Sequence, residues 1–102
     1  MKFSREQILK RLTELGVKSQ ASRESAVERL LDLSPELVPH FERWFETGEL
    51  PDIEIEGFTP QKLREGRILL DPGVFIALDA LIKDPEAAKR MLAEGYDHVF
   101  FE

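Results

Sequence analysis

With 102 residues the chain fits one domain, expected to span 1–102, and is long enough for a single hydrophobic core. It has no cysteine, which excludes disulfides, thiol nucleophiles and cysteine-based zinc or iron–sulfur centres. A net charge of −6 argues against the whole chain binding polyanions non-specifically.

The first residues, Met-Lys-Phe-Ser-Arg-Glu, carry charge at once and hold no apolar signal core. The longest apolar run is Val74 to Leu78, far short of the roughly 18 residues that suggest a membrane span. A soluble, cytoplasmic chain with no membrane partner is expected. Apolar residues recur with regular spacing in every segment, so a folded domain is expected over disorder.

Helix punctuation is legible along the chain. Ser4 and Gln7 form a capping box, with Phe3 and Ile8 at the staple positions on either side. Ile8, Leu12 and Leu15 form an apolar stripe with Leu9 beside them, and Gly16 supplies a left-handed stop. Ser22 is expected to cap a second helix, with Ala26, Val27, Leu30 and Leu31 on one face. Ser34-Pro35 can open a third helix, with Leu37, Val38, Phe41, Trp44 and Phe45 inward and Gly48 beyond its end. Pro39 would clash one turn earlier, so either the first turn is separate or the helix starts nearer Pro39.

Between Leu50 and Phe58 the period changes to two: Asp52, Glu54 and Glu56 alternate with Ile53 and Ile55, as in a short strand or extended segment. Thr59-Pro60 caps a short helix to about Glu65, with Gly66 as its stop. Residues 67–70 are a second candidate strand. Asp71-Pro72 introduces a helix to Lys83 that is apolar almost all round, with Asp79 its one internal charge, and so belongs at the middle of the domain. Asp84-Pro85 opens a last helix with Ala87, Ala88, Met91 and Leu92 inward, and residues 97–101 are a third candidate strand. The expected fold is mainly α: a compact single domain of five to six short helices. A small β element is expected around 52–56, 67–70 or 97–101.

Charge is unevenly divided. Residues 1–33 hold seven Lys/Arg and five Asp/Glu, a net of about +2, so the remainder is near −8. The basic part is a helix–loop–helix pattern over 4–33. Leu12, Leu15, Gly16, Val17, Arg23, Val27, Arg29 and Leu30 fall at matching places in the SAP motif, and residues 4–31 resemble that two-helix nucleic-acid-binding family. The family's loop glycine is Ala21 here, and Glu24 sets a negative charge beside Arg23. The resemblance implies backbone contact with nucleic acid at the start of the second helix, through Lys18, Ser19, Gln20, Ser22 and Arg23. Two stapled amphipathic helices around a Gly-Val turn are equally a plain structural unit.

Other candidates are weaker in chemistry. Glu36, His40 and Trp44 lie one turn apart, but one His and one Glu do not complete a metal site, and a boundary histidine is the simpler account. Asp79 is either a buried acid or the partner of Lys83 at the i, i+4 spacing. Asp52, Glu54 and Glu56 either guard an exposed edge or dock a basic partner. Val99, Phe100 and Phe101 are apolar near the chain's end, where residues usually fray unless docked. No phosphate loop, nucleophile elbow, dinucleotide or zinc-protease pattern occurs. The expected function is therefore a non-catalytic helical domain, without cofactor or metal, that binds a protein partner or itself through Asp52, Glu54, Glu56 and Val99–Phe101. The alternative is SAP-like nucleic-acid binding through 4–33.

Overall fold

In the computed structural model, residues 2–66 and 71–94 are described. Ser4 starts the first helix, α1 (Arg5–Glu14): its side chain accepts from Gln7 N while Gln7 Oε1 accepts from Ser4 N at 2.8 Å. The helix buries Ile8 and Leu12, and the chain reverses at Gly16, whose φ of +92° is cheap only for glycine. Helix α2 (Gln20–Leu31) is capped by Ser19, not by Ser22. Both serines are competent caps, but a start at Ser19 lets Val17 bury at 4% exposure and puts Ser22 inside the first turn, its N–H held by Ser19 Oγ.

Pro35–Leu37 forms a separate turn, closed by Leu37 N donating to Ser34 O at 2.8 Å, and α3 (Val38–Thr47) follows with Pro39 in its first turn. There its missing N–H costs nothing. Gly48, at φ +77°, ends that helix. Thr59 caps α4 (Pro60–Glu65), and the later helices are α5 (Asp71–Lys83) and α6 (Pro85–Glu94). At Gly66 the expected stop is present, but its φ is negative, so the turn there is not left-handed.

The result is a mainly α domain, with six short helices among the described residues and a Cα radius of gyration of 12.5 Å, compact for this length. Helix α5 is the axis of the fold. It buries every residue from Pro72 to Asp79, and Leu81, and packs against α2, α4 and α6. Phe75 meets Phe41 and Trp44 of α3 at ring-centroid distances of 5.4 and 5.9 Å. Trp44 also donates its indole N–H to Asp71 Oδ2 at 3.1 Å, which fixes the ring to the first turn of α5.

Among the described residues there is no sheet. The strand expected over 52–56 is instead an irregular segment with one isolated bridge, Ile55 to Phe58. The alternation of burial survives, with Ile53 and Ile55 half-buried and Asp52, Glu54 and Glu56 exposed. A period of two sets which side chains turn inward, but a strand also needs a paired neighbour, and none of the described residues supplies one beyond Phe58. The other two candidate strands, 67–70 and 97–101, lie outside the described residues.

Residues 56 and 57 make the tight turn of this bridge. Glu56 at φ +53° and Gly57 at φ +86° are both left-handed, the pattern of a type I′ turn. A Cβ added at Gly57 would meet nothing within 4 Å. Gly57→Ala is therefore expected to cost about 1 kcal/mol from conformation alone, read as a lower denaturation midpoint at unchanged slope.

Candidate functional site

The basic helix–turn–helix is built around its own loop. Arg23 donates through Nη1 to Val17 O at 2.7 Å and to Lys18 O at 2.8 Å, so its guanidinium clamps the α1–α2 turn. Both acceptors are carbonyls that the reversal at Gly16 leaves without helical partners. Ser22 is buried at 9% exposure. Lys18, Ser19 and Gln20 are exposed, and Gln20 Nε2 approaches Glu24 Oε1 at 3.4 Å.

Most of the neighbouring cations are also engaged: Lys2 with Glu46, Arg5 with Glu28 at 3.8 Å, and Arg11 with Glu14 at 3.3 Å. Lys10 and Lys18 have no side-chain ion pair or hydrogen bond among the described residues. The five residues named from the SAP resemblance are thus adjacent in space, but three of them serve the local structure: Ser19 caps α2, Ser22 is buried in its first turn and Arg23 clamps the loop.

The acidic segment has the opposite character. Gly48 turns the chain out of α3, and Leu50, Ile53, Ile55 and Phe58 then pack against the core. That anchoring leaves the intervening carboxylates outward. Glu49 pairs with Arg43 at 3.6 Å and Glu56 with Lys89 at 2.9 Å, the latter tying the turn to α6. Hydrogen bonding to Glu56 is the leading cause of a raised Lys89 pKa. Asp52 and Glu54 are exposed and have no cation partner among the described residues. Beside them a groove of about 260 Å³ runs between Leu50–Asp52 and Thr59–Gln61.

Asp79 is buried at 7% exposure and fully occupied. Its Oδ1 accepts from Ser34 N at 2.8 Å and from Ser34 Oγ at 2.7 Å, and its Oδ2 meets Lys83 Nζ at 2.9 Å. Lys83 in turn donates to Asp32 O at 2.8 Å and to Asp32 Oδ2 at 3.1 Å. One carboxylate therefore latches the α2–α3 connection onto α5. The i, i+4 pair with Lys83 was readable from the spacing. Ser34, 45 positions away, had no signal beyond being a polar residue before a proline.

The latch gives a pH dependence. Hydrogen bonding to Asp79 is the largest cause raising the Lys83 pKa above its ordinary 10.5. A lysine whose folded pKa is raised contributes stability that is complete below the unfolded value and is lost as pH climbs through the folded one. Stability is expected to fall more steeply above pH 10.5 in the parent chain than in Lys83→Met, as followed by urea midpoints. Lys83 is 46% exposed, so solvent screening keeps the difference small.

His40 is half-buried at the edge of the α3 stripe with Glu36 exposed beside it, and Trp44 is buried in the core. Among the described residues no group of three or more His, Cys, Asp or Glu is placed to hold a metal ion, and no helix is long and apolar enough to cross a membrane. His98 and the tail residues Val99, Phe100 and Phe101 lie outside the described residues. A structural role missed in the sequence is that of Asp71, whose two oxygens take Trp44 Nε1 and Arg64 Nε, the latter at 3.4 Å. No protein-family model matches this chain, and no curated protein or solved structure matches it.

Proposed function

We propose that this chain is a non-catalytic interaction domain that docks a basic segment of a protein partner along Asp52 and Glu54. One observation carries the proposal: nearby Glu46, Glu49 and Glu56 have a cation of this chain, while Asp52 and Glu54 have none among the described residues. The packed side chains of Ile53 and Ile55 hold this segment in place, so little ordering is needed on binding. Exposed carboxylates of this kind mainly raise the association rate and set partner choice, and they weaken with salt.

A fluorescent peptide of alternating lysine and alanine is the test probe. Asp52→Asn with Glu54→Gln is expected to weaken its binding about five- to tenfold at low salt, with the loss concentrated in the association rate. Glu36→Gln with Glu86→Gln removes the same charge elsewhere and is expected to have at most a twofold effect. Equal losses in the two pairs would show diffuse attraction to an acidic protein and would overturn the docking surface.

A second proposal is nucleic-acid backbone contact through residues 4–33. Lys18, exposed beside the start of α2 and without a side-chain partner among the described residues, supports it, since helix N-termini and lysines together attract phosphate. Arg23 is a poor probe for it, because Arg23→Glu would also break the turn. Lys18→Glu spares the Arg23 clamp, which uses only the Lys18 carbonyl.

A further inference from the structure

We draw no further inference here: the strongest candidate, the groove of about 530 Å³ between α1 and the end of α3 lined by Lys10, Arg11, Glu14, Phe45 and Glu46, matches its two carboxylates with Arg11 and Lys2 and leaves Lys10 beside the carbonyl end of α3, and nothing in the structure shows what covers it.

Discussion

Trp44→Ala is expected to lower the unfolding free energy by about 3–5 kcal/mol, measured by urea or thermal denaturation. The indole is 1% exposed and touches three structural parts at once: Phe41 on its own helix, Phe75 of α5, and the Arg11 guanidinium 5.8 Å above its ring. Truncation would empty the largest buried side-chain site between α3 and α5 and leave Asp71 without its indole donor. Against a total stability of about 5–15 kcal/mol for a domain of this size, that loss is a large fraction. Trp44→Phe separates the terms. It keeps most of the aromatic packing and removes the N–H, so a loss of about 1–2 kcal/mol is expected. Equal losses in the two variants would mean that the hydrogen bond, not the packing, dominates at this site.

Asp79→Ala is the second large effect, with an expected loss of about 2–4 kcal/mol. Removal would strand the buried Ser34 N–H and hydroxyl, because the carboxylate is the acceptor for both. Lys83 is less affected, since it is partly exposed and keeps Asp32. Asp79→Asn keeps an oxygen for Ser34 and loses only the charge pairing, so roughly half the destabilisation is expected. These variants also decide what Asp79 is for. A carboxylate buried for function at the expense of stability gives an unchanged or more stable protein when replaced. A latch gives the ordered losses above.

Much of the fold was legible because local chemistry and tertiary packing agree. The Ser4–Gln7 box, the Gly16 and Gly48 stops and the Thr59-Pro60 start rest on hydrogen bonds and dihedral limits within four residues, which a sequence states directly. The apolar continuity of α5 likewise predicted its central place. Two failures have a shared physical origin. Ser22 lost the cap to Ser19 because burial of Val17 decided between two good local options. The 52–56 segment kept its alternation but not its strand, because pairing depends on a neighbour that the pattern itself does not specify.

The candidate site follows the same division. Lys18 and Arg23 look alike in sequence as basic residues flanking a helix start, yet one is exposed and the other is spent on two loop carbonyls. Which carboxylates lack a cation was equally hidden. Glu56 is paired with Lys89, 33 positions on, while Asp52 and Glu54 have no cation partner among the described residues. Charge patterning marked the acidic segment; only the fold showed which of its carboxylates have a cation partner among the described residues. The basic module at the N-terminal end divides in the same way. Its cations largely stabilise the helices that carry them or reach across to the acidic part of the chain, as Lys2 does to Glu46.

The most direct measurement is an amide NMR titration of the labelled chain at low salt, first with the lysine–alanine peptide and then with short duplex DNA. The account predicts that the peptide shifts signals from Glu49 to Gly57 more strongly than DNA shifts those from Gly16 to Arg23. Shifts at Lys18–Arg23 on adding DNA that vanish in Lys18→Glu, with residues 49–57 silent to the peptide, would contradict it.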